Sequence, residues 1–231
     1  MVLLSGALFA VSAADSEGTD LRPGRYTDLA SLVEAEADRT NRLTERLADL
    51  KGQVDRLTDE VDDAGVRRLR ETVEELRDPA GMEPRSGPGV TVTLSDAPED
   101  LLEQAAENEP DVDDWVVHQQ DIQAVVNAMW AGGATAVTIQ GQRVITTTGI
   151  KCEGSLVQLQ GVPHPQPYEI QAVGDPVAIE AALLTEPRII GYLEDAADPA
   201  IQVGWDLEVE DLVEAPAYTG LQDLSYAQPL R

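Results

Sequence analysis

Four polar side chains, His118, Asp121, Asn127 and Arg143, are the chain's best candidates for contacting a ligand or partner. Asp114, His118 and Asp121 fall at i−4, i and i+3, so on a helix they share one face, and a carboxylate beside an imidazole is the pairing that makes a general base. A base of that kind needs something to activate. No serine, threonine or cysteine lies at a recognisable motif spacing from the trio. The residues therefore read as structural: His118 and its carboxylates brace the start of a helix, while Asn127 and Arg143 satisfy buried backbone groups. No catalytic residue is assigned, and the protein is not read as an enzyme.

Asp111, Asp113 and Asp114 crowd together as calcium ligands do, but an EF-hand loop needs glycine at its sixth position and glutamate at its twelfth, where this chain has Val116 and Ile122. One cysteine, Cys152, excludes an intramolecular disulfide framework, and with only His118 and His164 beside it a thiolate or imidazole metal site lacks ligands. Cys152 sits among strand-forming neighbours and reads as an inert buried thiol. Glycine-rich phosphate cradles are missing. Neither a metal nor a cofactor is expected.

Charge narrows the partners. The 231 residues carry 43 acids against 16 bases, a net of −27, and the stretch from Gly89 to Arg231 alone carries 24 acids against Arg143, Lys151, Arg188 and Arg231. Binding phosphate backbones or anionic lipid requires a cationic face, so nucleic acid is not a partner and the membrane can be met only through the N-terminus. The acidic excess reads chiefly as solubility.

The elements that would position these residues follow from hydrophobic periodicity. Residues 1–14 (MVLLSGALFAVSAA) are apolar but shorter than the roughly 20 residues of a membrane span. They are a partial membrane anchor whose first half lies upstream of Met1, or a signal-like segment cleaved after Ala13; the missing positive n-region favours the anchor. From Tyr26 the apolar residues take a 3-4 spacing, with Val54 and Val61 at a and Leu43, Leu50 and Leu57 at d, as in parallel coiled-coil dimers. Glu36 and Thr40 break the seam earlier. Residues 26–77 are thus a helical stalk, about 75 Å long if continuous, that offers a route to a homo-oligomer. Residues 78–88, rich in proline and glycine, form a linker.

Residues 89–231 form a globular α+β domain. Val90, Val92 and Leu94 alternate as a strand, and 96–114 reads as an acidic loop with at most one short helical turn. Ile122, Val125, Val126 and Met129 mark the buried face of a helix ended by Gly132 and Gly133, and strands follow at 136–139 and 143–146. A hairpin covers 150–159. The plan then repeats: a strand at Tyr168, a helix capped by Asp175 with Pro176 at N1, a short apolar segment at 189–193, and an alternating strand from Ile201 to Val209. Two strand-helix-strand units point to a ferredoxin-like sandwich with a mostly antiparallel sheet.

The run VVHQQDIQAVVNAMWAGGATAVTIQGQRV, then GIKCEGSLVQLQG and PYEIQAVGDP, resembles the bacterial family catalogued as domain of unknown function 881, also called YlxW-like. GALFAVSAADSEGTDLR resembles its membrane exit and the heptad stretch its stalk. The resemblance covers nearly the whole chain. It implies a single-pass, N-in and C-out protein of the cell membrane, found especially in Gram-positive and actinobacterial groups, often encoded near division or cell-wall genes and with no established activity. Two functions fit: a non-catalytic, membrane-tethered scaffold or regulator contacting envelope or division proteins, or an extracytoplasmic small-ligand sensor. A formed pocket with convergent polar groups would favour the sensor.

Overall fold

The computed structural model describes residues 25–220 except 62, 109–111 and 155, so the apolar segment 1–14 lies outside the described residues. Among the described residues, no helix is long and apolar enough to cross a membrane. The chain divides into two units, Met1–Arg70 and Glu71–Arg231.

Helix α1 spans Arg25–Asp59 and α2 spans Ala64–Arg77. The expected helix is therefore interrupted. The carboxylate of Asp63 accepts from the N–H groups of Gly65 (2.6 Å) and Val66 (3.1 Å), capping a new helix rather than continuing the old one. On α1, Leu43, Leu50, Val54 and Leu57 are exposed, and so is Val61 just beyond it.

The second unit is α+β with antiparallel sheets. After α2 the chain turns through Gly81, whose φ of +78° suits a residue without a side chain, and β1 runs Arg85–Ser95. The strand thus begins inside the stretch expected as linker, because Arg85 and Ser86 pair with Ala215 and Glu214. Helix α3 (Glu99–Asn108) replaces most of the expected acidic loop. Its first turn carries Glu99 and Asp100, where the helix dipole favours negative charge, so acidity that suggested a loop also suits a helix start. A 3-10 turn at Asp113–Trp115 leads into α4 (Gln119–Ala131). Strands β2 (Ala136–Ile139), β3 (Gln142–Val144), β4 (Ile150–Glu153), β5 (Leu156–Leu159), β6 (Val162–His164) and β7 (Tyr168–Val173) follow. Then come α5 (Pro176–Leu183), α6 (Pro187–Ala197) and β8 (Gly204–Ala215). The apolar segment at 189–193 is helical, since Glu186 caps it and Pro187 occupies its first turn.

The large sheet has the order β3-β2-β7-β1-β8, and β4-β5-β6 form a second sheet. Val90, Val92, Leu94, Val137, Ile139, Ile170 and Ala172 share one core with Ile122, Val125 and Met129 of α4, Ile179 and Leu183 of α5, and Ile189 and Tyr192 of α6. In β8 the alternation breaks. Between Gly87 and Gly89 the register with β1 shifts by a bulge, which turns Val213 and Ala215 to the opposite face, where they bury against Ala136 and Val173.

Candidate functional site

His118 occupies the N-cap of α4 with extended backbone angles, and its N–H donates to the Asp121 carboxylate at 2.8 Å. Asp121 is buried, and its other oxygen accepts from Arg188 Nε of α6 at 2.8 Å. The imidazole stands 3.5 Å from Asp113 through Nε2 and 3.9 Å from Asp121 through Nδ1. Asp114 lines the same shallow cavity, about 260 Å³, with His118, Arg188, Tyr192 and Asp195. Desolvation, then the charge of Asp114, raises the Asp195 carboxyl above its ordinary range. Burial pushes the Tyr192 hydroxyl up as well, so it stays protonated and donates to the carbonyls of Gly204 (3.1 Å) and Ser95 (3.3 Å). The constellation fastens the start of α4 to α6. Cys152 of β4, half-buried rather than buried as expected, ties that strand to the same helix start, its sulfur accepting the Gln119 N–H at 3.1 Å and its own N–H donating to Gln119 Oε1 at 2.7 Å.

Arg143 lies elsewhere, on β3, and is 4 % exposed. Its Nη1 donates to the carbonyls of Glu83 (3.2 Å) and Pro216 (3.1 Å), while Nε is buried without a partner among the described residues. The side chain borders a cavity of about 600 Å³ with Met82, Arg85, Trp130, Ile145 and Thr146 among its walls. Desolvation and then the nearby Arg85 lower the Arg143 pKa, against the opposing pull of Asp78. Asn127 is exposed and so satisfies no buried group; it borders a neighbouring cavity of about 350 Å³ that shares Trp130, Val144, Ile145 and Thr146 with the larger one. His118 and Asp121 are thus brought together, and Arg143 and Asn127 stand apart from them.

The family model for a bacterial protein of unknown function, DUF881, matches residues 72–228, two thirds of the chain and nearly all of the second unit. The chain belongs to the DUF881 family. It is 40% identical over 109 residues to the UPF0749 protein YlxW of Bacillus subtilis, a match covering 47% of this chain and 43% of that one. It is 31% identical over 232 residues to a UPF0749 protein of Mycobacterium tuberculosis, covering 98% of this chain and 74% of the other. A crystal structure of an uncharacterized conserved protein from Mycobacterium tuberculosis aligns over 69% of this chain and 99% of its own, with 22% identity and a TM-score of 0.49.

Sequence reasoning does not find two parts of this DUF881 protein's sites. Arg188 is 67 residues from Asp121, and its only local signal is the Glu-Pro pair that starts α6. The wall formed by Met82, Arg85 and Trp130 gathers residues from a turn, a strand and a helix end that no spacing rule connects.

Proposed function

We propose that this DUF881 protein is a non-catalytic interaction protein of the bacterial cell envelope, tethered to the membrane through its N-terminus and acting by contact in cell-wall growth or division. The observation that carries this reading is the exposed apolar stripe Leu43, Leu50, Val54, Leu57 and Val61. Such a stripe calls for a second surface, and valine at a with leucine at d suits a second copy of the same helix in a parallel coiled-coil stalk. The connectivity supports a ferredoxin-like domain on that stalk: β2-β7-β1-β8 is the order of two interleaved strand-helix-strand units, with β3 added at one edge. His118 and Asp121 are engaged at a helix start, which supports a structural role for them.

The test is to delete residues 89–231 in cells while keeping the preceding segments, then follow growth, cell shape and septum placement. Altered shape or misplaced septa are expected. Unchanged growth and morphology would overturn the reading.

A second reading, an extracytoplasmic small-ligand binding domain, is favoured by the 600 Å³ cavity, which lies within the range of small-molecule sites.

A further inference from the structure

The cavity bordered by Arg143 has the makings of a selective site, and any ligand assigned to it rests on the small-ligand reading. Its walls are mostly apolar, with Met82, Trp130, Val144 and Ile145 on them and threonines 135, 146 and 147 between. Into this setting the chain brings a guanidinium that is almost wholly buried, one of four basic side chains in residues 89–231. One nitrogen, Nη1, is occupied by two main-chain carbonyls; Nε has no partner among the described residues. A buried donor left unmade costs stability unless something completes it.

The charge count sets the form of the missing group. Arg85 is held by Asp78 through two bonds, Nε to Oδ1 at 2.9 Å and Nη2 to Oδ2 at 2.6 Å, so these two cancel and, among the described residues, leave the single charge of Arg143 uncompensated. A monoanion balances that charge. A phosphate dianion would overbalance it and face Asp78.

We propose that this cavity binds a small molecule consisting of an apolar body that ends in one carboxylate, the carboxylate meeting Arg143 and the body lying against Trp130, Ile145 and Met82. Trp130 supplies the readout, since it lines the wall and is 37% exposed.

The full chain is titrated with octanoate, octan-1-ol and octylammonium, three probes of one apolar body with different heads, while tryptophan fluorescence is followed. Octanoate is expected to shift the emission and to bind at least about tenfold more tightly than octanol, the scale of one charge-assisted hydrogen bond, with octylammonium weakest. Trp130→Phe should abolish the shift, and Arg143→Lys, checked for folding by circular dichroism, should reduce the preference for octanoate over octanol. Should Arg143→Lys fail to fold, the three-probe comparison on the native chain decides. Equal affinity for octanoate and octanol would overturn the carboxylate assignment while the small-ligand reading stands. Silence of Trp130 toward all three would overturn both.

Discussion

Asp121 does more at the start of α4 than His118 does. Its carboxylate accepts one main-chain N–H and one guanidinium N–H in a buried position, whereas the imidazole makes longer approaches at the surface of a cavity. Asp121→Ala is expected to cost about 1–3 kcal/mol, because it strips a charged acceptor from two donors, and His118→Ala about 1 kcal/mol, the scale of a lost cap. Urea denaturation of both variants measures the ranking; a larger loss at His118 would contradict it. Asp195 carries the opposite sign. Its carboxyl is raised in the folded chain, so the native state takes up a proton before the unfolded one does, and stability rises as pH falls from neutral through the folded pKa toward the ordinary value. Asp195→Asn should therefore raise the melting temperature at neutral pH and flatten its rise on mild acidification, and salt should shrink the gain from relieving Asp114 and Glu194. The pairing of His118 with Asp121 is legible in the sequence because an N-cap and the third helical residue meet in a capping box, whereas Asp114, expected on the same helical face, lies in the 3-10 turn before the helix. Asn127 misleads: with Gln120 and Ala131 it lies on the exposed stripe of α4, which the apolar pattern does not exclude.

At the scale of elements, legibility obeys one rule. Segments with a single clean period, such as Val90 to Leu94 in β1 and Ile122 to Met129 in α4, are readable, and segments whose period is changed by packing are not. The bulge opposite Gly87 and Gly89 re-aims β8 in mid-strand, so the alternation seen up to Val209 gives way to burial of Val213 and Ala215 on the other face. Strand β6 has only Val162, Pro163 and His164, too short for any period, and forms because Val162 and His164 pair with Leu159 and Val157 of β5. Gly132 carries a packing constraint that its place after α4 disguises as a simple helix stop. A Cβ at Gly132 would lie 2.6 Å from Ile179 Cα and 3.0 Å from the Ala178 carbonyl, so α4 and α5 meet through this glycine. Gly132→Ala is expected to lower stability by about 1–3 kcal/mol, the cost of overpacking, rather than to gain from reduced chain entropy. Thermal denaturation decides, and an unchanged or higher melting temperature would show that the helices can part without loss.

For the whole molecule, the question is where the second unit can be cut free. The proline and glycine content of 78–88 suggests a break near Gly87, yet that stretch is tied to the rest of the unit along its length. The Gly81 carbonyl accepts the Tyr218 N–H at 2.9 Å, the Glu83 carbonyl accepts from Arg143, and Arg85 pairs with Ala215 in the sheet. Proline and glycine there shape a turn that packs. A fragment of residues 71–231 is expected to unfold in one cooperative transition. A fragment of residues 87–231 should lose roughly 2–4 kcal/mol by comparison, since the Tyr218–Gly81 bond and the pairing of Arg85 and Ser86 with β8 disappear and the buried Arg143 guanidinium is left with a single carbonyl. Urea titration of both fragments, followed by circular dichroism, gives the difference directly. Coincident midpoints would show that residues 71–86 act as a tether that the unit can do without. A lower midpoint for the shorter fragment, with its slope preserved, would make the turn through Gly81 an integral wall of the domain and of the cavity beneath it.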